Sequence, residues 1–96
     1  MYGRHLKFRA KPEVRAEVEA LADQAFAFMK SLPGFISVHF LVAEDENEFA
    51  SFSLWESKKN AQEAGDSLRA KTGEAISKLA VEQPTLQVFE VYKPKS

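Results

Sequence analysis

Apolar and polar positions alternate from about Tyr2 to Arg9, with Leu6 and Phe8 on one face and Gly3, His5 and Lys7 on the other. That period predicts a first strand. Further on, Val14, Val18, Leu21, Ala22, Ala25, Phe26, Met29 and Leu32 recur at three- and four-residue spacing, the stripe of an amphipathic helix. Pro12 suits the first helical position, where its missing N–H is not needed, and Glu13 and Glu17 suit the positive end of the helix dipole. The helix is therefore expected to begin at Pro12 and to end before the Pro33-Gly34 turn.

Residues Phe35 to Ala43 predict a second strand that is apolar on both sides: Ile36, Val38, Phe40 and Val42 fall on one, Phe35 and Leu41 on the other. The acidic run Glu44-Asp45-Glu46-Asn47 reads as a hairpin turn into a third strand, Phe49 to Trp55. Ser57 follows as the cap of a second helical region with Ala61, Ala64, Leu68, Ala75, Ile76 and Leu79 inward. Gly65-Asp66-Ser67 is expected to break that region into two pieces. Gln83-Pro84 closes it, Leu86 to Tyr92 predicts the last strand, and Lys93 to Ser96 is a polar tail.

The order βαββαβ predicts an α+β, ferredoxin-like fold in one domain spanning residues 1–96: a four-stranded antiparallel sheet with two helices on one face. A sheet covered on one side only should be polar on the other. Here the second and fourth strands carry large apolar residues on both sides, so we expect a homodimer that packs sheet face to sheet face.

Composition narrows the function classes. A net charge of -1 gives no electrostatic reason to expect nucleic acid or an anionic membrane as partner. The absence of cysteine removes disulfides, thiolate nucleophiles, Cys-ligated zinc and iron–sulfur clusters. No apolar run approaches the roughly 20 residues of a membrane span, and Met1 to His5 has no apolar signal core, so a cytoplasmic protein is expected. Phosphate-cradling glycine loops, dinucleotide fingerprints, nucleophile elbows and His-Glu-x-x-His pairs are all missing.

Five pieces of the chain together resemble a known family: Phe8-Arg9 near a proline, Leu32-Pro33-Gly34-Phe35, Ser53-Leu54-Trp55-Glu56-Ser57, the helix with Ala61 and Leu68-Arg69, and Val88-Phe89-Glu90-Val91. The pattern is similar to the antibiotic biosynthesis monooxygenase-like (ABM) domains of the dimeric α/β barrel superfamily. The resemblance implies a homodimer whose two sheets form a barrel, and a pocket that in some relatives holds an aromatic substrate. Members oxidise polycyclic phenols or quinols with dioxygen and no cofactor, others degrade haem, and many have no assigned activity. The haem-degrading branch needs an Asn on the first strand and a Trp and a His on the second helix. Here His5 stands at the comparable strand position and the stretch Ser57 to Ala80 holds neither, so no haem and no other cofactor is expected.

A cofactor-free oxygenase asks little of its protein, because a deprotonated phenol can itself donate an electron to dioxygen. A dry apolar pocket, a base and orienting hydrogen bonds suffice. His39 and His5 are the candidate bases, the only side chains with an ordinary pKa near neutrality. Their bland reading is as polar residues on a sheet face or at a dimer interface. They stand two strand spacings apart, about 10 Å, too far to share a metal within one subunit. Trp55, Tyr2, Tyr92 and Phe26 are the candidate residues for binding an aromatic ring, against the alternative that Trp55 and Phe26 are packing residues. Arg4, Arg9 and Arg69 offer cations for an acidic substrate group, but their mixed-charge surroundings fit a solvated face. Two functions from different classes follow: a cofactor-independent monooxygenase acting on a phenolic or quinol substrate, or a non-catalytic homodimeric small-molecule-binding or scaffold protein.

Overall fold

A computed structural model describes residues 1–95 of the chain. Its elements are β1 (Tyr2–Arg9), α1 (Arg15–Met29), β2 (Phe35–Val42), β3 (Glu48–Trp55), α2 (Lys58–Leu79) and β4 (Thr85–Glu90). The strands form one sheet in the order β2-β3-β1-β4, every neighbouring pair antiparallel, and both helices contact it. This is the α+β, ferredoxin-like fold that the alternation predicts.

Local chemistry accounts for most boundaries. Ser57 caps α2: its Oγ accepts the Asn60 backbone N–H at 3.1 Å and donates to Asn60 Oδ1 at 2.8 Å. Gly34 turns the chain at φ 78, and a β-carbon there would run into the Asn60 side chain. In the acidic hairpin, Asp45 Oδ1 accepts the Asn47 N–H at 3.0 Å, while Glu46 accepts from Arg15 at 3.0 Å and so ties the turn to the start of α1.

Four details depart from the sequence expectations. Helix α1 starts at Arg15 rather than Pro12, because Pro12 and Glu13 form a turn in which Glu13 adopts φ 60, outside helical space. Helix α2 runs unbroken through Gly65, for a packing reason given below. A bulge between Phe35 and Ser37 resets the parity of β2, so Phe35 pairs with Trp55 and joins Val38, Phe40 and Val42 on the helix side. Strand β4 ends at Glu90, leaving Tyr92 beyond it.

The side chains under the helices pack in two separate clusters. One, at the Trp55 end, joins Ala25, Met29, Trp55, Ala61, Ala64 and Leu68. The other, at the opposite end of the strands, joins Phe8, Ala10 and Phe49, with Val18 and Ile76 against them. What separates them can be read from the pairing. The helix-facing positions of central strand β3 are Phe49, Ser51, Ser53 and Trp55, so two small side chains lie between two large ones. Leu6, Ser51 and Phe40 form one row and Arg4, Ser53 and Val38 the next; the second is filled by the Trp55 cluster, and the first leaves open space.

Candidate functional site

That gap is a cleft of about 620 Å³ between sheet and helices, within the size range of small-molecule sites. Its floor is made by Leu6, Phe8, Phe49 and Ser51 of the sheet, with Phe40 and Leu86 toward the two sheet edges. Leu21, Ala22 and Met29 of α1 and Leu68, Thr72 and Ile76 of α2 form the roof. The walls are mainly apolar, and side chains from both packed clusters border the space.

The polar groups facing this space are few. Thr72 is occupied, its hydroxyl donating to the Leu68 carbonyl at 2.8 Å. Ser51 is buried and, among the described residues, its hydroxyl has no hydrogen-bond partner. Arg4 is the notable group. It lies on β1 at the same parity as Leu6 and Phe8 and is only 6% exposed, which corrects the expectation of a solvated face. Burial lowers its pKa from the ordinary arginine value, the nearby Arg69 acts in the same direction, and Asp66 opposes both. An arginine keeps its proton even so, and the guanidinium remains a cation inside the fold. Arg9 and Arg69 are exposed as expected, although Arg69 borders the cleft.

Gly65 explains why α2 does not break. It faces Arg4, and a β-carbon at that position would stand 2.9 Å from Arg4 Nε. A glycine inside a helix costs about 1 kcal/mol relative to alanine. Here its missing side chain makes room for the guanidinium, while the packed Ala61, Ala64 and Leu68 carry the helix across it.

None of the six residues selected from the sequence lines the cleft. His5 and His39 both pair with Phe52, so they flank it in one row on the open face of the sheet, the face away from the helices. Leu41, Leu54 and Phe89 share that face by register, and the Phe52 ring covers Gly3. Trp55 is 0% exposed, and its indole N–H donates to Ser53 Oγ at 2.9 Å, so it is anchored within the core. Tyr2 packs against the same cluster, and Phe26 is 42% exposed with Lys30 Nζ 4.8 Å from its ring centre. Tyr92 is 73% exposed beyond the end of β4. Sequence reasoning weighed Arg4 as a cation for an acidic group but set it on a solvated face, and it passed over Ser51. Their signal was parity: each is a polar residue at an inward position of a central strand.

Among the described residues, no group of three or more His, Asp or Glu side chains is placed to hold a metal ion, and no helix is long and apolar enough to cross a membrane.

Comparisons with known proteins agree with the fold. The chain is similar to the cofactor-independent oxygenase SnoaB of Streptomyces nogalater, with a TM-score of 0.82, 18% identity and coverage of 97% of this chain and 94% of that one. It is similar to the ActVA-Orf6 monooxygenase of Streptomyces coelicolor, solved with nanaomycin D, with a TM-score of 0.80, 19% identity and 99% and 90% coverage. Rv0793 of Mycobacterium tuberculosis superposes with a TM-score of 0.81, 19% identity and 99% and 98% coverage. At such identities the likeness concerns the fold alone. No curated protein matches the sequence. The family model described as antibiotic biosynthesis monooxygenase matches residues 1–71, most of the chain, and the protein belongs to that family.

Proposed function

We propose that this protein is a cofactor-independent monooxygenase whose aromatic phenolic or quinol substrate occupies the cleft between sheet and helices. The observation that carries the reading is the cleft itself: about 620 Å³, mainly apolar, and built into a fold shared with SnoaB and ActVA-Orf6. Once ionised, the phenol passes an electron to dioxygen, and the radical pair collapses to a peroxide on the ring. Loss of water then leaves a quinone. One phenol and one dioxygen give one quinone and one water, so no external reductant is needed. The chain excludes bulk water around the ring and fixes its orientation.

The open face supports a second part of the reading. Leu41, Leu54 and Phe89 form an apolar surround for the row of His5, Phe52 and His39, and a second copy of the chain would cover them sheet to sheet. There, His39 or His5 would act as base only on a ring held between the paired sheets. Neither histidine lines the cleft.

The test is a thermal-shift screen with polycyclic phenols and quinols, followed by oxygen uptake without added cofactor. A ligand at a hundredfold excess over its dissociation constant adds about 2.7 kcal/mol of stability. Dioxygen consumption equal to the quinone formed is the expected result. Tight binding with no consumption would leave a non-catalytic binding protein, and no shift with any member of the panel would remove the cleft as the aromatic site.

A further inference from the structure

We infer that the cleft takes its aromatic ligand as an oxyanion, an ionised phenol or a carboxylate on a fused ring, with the Arg4 guanidinium as its receptor. The inference rests on the cleft being the aromatic site and adds the charge state of what it binds.

Four charged side chains border the cleft: Arg4, Glu19, Arg69 and Glu74. Three of them are engaged elsewhere. Glu19 pairs with Arg15 at 2.9 Å, Glu74 with Lys78 at 3.7 Å, and Arg69 with Asp66 at 4.0 Å, all on exposed helix surfaces. Arg4 is the buried one, and among the described residues no carboxylate lies within 4.0 Å of it and its guanidinium makes no hydrogen bond.

Arg4 alone among the four lacks a partner among the described residues.

The guanidinium is nevertheless not sealed off, since no fully enclosed side-chain nitrogen or oxygen lacks a partner among the described residues. Its nitrogens are therefore not fully enclosed, and Arg4 is one of the residues that line the cleft. A buried cation with no counter-ion is unfavourable unless something else supplies the charge. The fold spends a helical glycine to accommodate it, with Gly65 leaving the space beside Nε. Arg69 at the rim adds a second positive charge. Ser51 has a free hydroxyl diagonal to Arg4 on the same sheet face, about 7–8 Å away by strand geometry, and supplies a further donor. A planar fork of donors beside apolar walls suits an oxyanion carried on a flat hydrocarbon.

The test compares three ligands with one ring system: 2-naphthol, 2-naphthoic acid and the neutral 2-methoxynaphthalene. Binding is measured by calorimetry, and ionisation of bound naphthol by its absorbance across a pH series. Naphthoate is expected to bind at least roughly ten-fold more tightly than the ether, the scale of one charged hydrogen bond. Bound naphthol is expected to ionise about one pH unit or more below the free compound, as beside any close opposite charge. In Arg4→Met both effects should vanish while ether binding persists, which also shows that the variant is folded. Gly65→Ala, which keeps the charge but crowds Nε, should reduce the preference part-way.

A preference for naphthoate without early ionisation of naphthol would support the inference with carboxylate as the source of the anion. Early ionisation without that preference would support it with phenolate as the source. Equal binding of all three, or a preference that survives in Arg4→Met, would overturn the inference and leave the cleft as an aromatic site. Failure of all three to bind would overturn both.

Discussion

The two faces of the sheet are built from the same four strands, and both carry large apolar side chains, yet they differ in how polar groups are held. On the helix-covered face, the small Ser51 at the centre of β3 leaves room for a cleft, and the buried Arg4 borders it without a partner. On the open face, His5 and His39 flank Phe52 with no covering layer in the chain. Two histidines look more like chemistry in a sequence than one arginine does. Burial reverses that ranking, because a desolvated charge acts far more strongly on a ligand than a half-buried or exposed imidazole.

Three substitutions sharpen the contrast. The largest effect is expected on the covered face: Trp55→Ala empties a fully buried site and removes the indole N–H that Ser53 Oγ accepts, and should cost about 3–5 kcal/mol in urea denaturation. A loss under 1 kcal/mol would mean that the Trp55 cluster does not hold the helices to the sheet. Next, Arg4→Met should stabilise the ligand-free protein by about 1–2 kcal/mol, since it replaces an unpaired buried cation by an apolar chain of similar length. Destabilisation by that variant would show that the guanidinium has a structural partner. The smallest effect belongs to the open face: His5→Ala and His39→Ala should each change monomer stability by less than about 0.5 kcal/mol and leave binding in the cleft unaltered. A lost thermal shift in either variant would move the site to the open face.

Much of the fold was legible because it rests on period and local capping. The alternation in β1, the strand-to-helix unit ending in Ser57 and the acidic hairpin all follow from nearby residues. What was not legible depends on contacts between distant ones. Nothing near Gly65 in sequence reveals that it faces Arg4, so propensity alone predicted a break where packing maintains a helix. The bulge at Phe35 and Ser37 shifts one residue across the sheet, and no turn signal marks it. The candidate site was missed for a related reason. A cleft is an absence of side chain, and Ser51 registers as an unremarkable polar position until its row is assembled.

The division of the packed interior into two clusters has an evolutionary consequence. Leu6, Leu21, Ala22 and Ser51 border the cleft but belong to neither cluster. Substitutions there change the shape offered to a ligand while leaving intact the contacts that hold helices to sheet. A scaffold arranged in this way can exchange its pocket lining generation after generation without first acquiring compensating stability, and proteins 18–19% identical to this one keep TM-scores of 0.80 to 0.82.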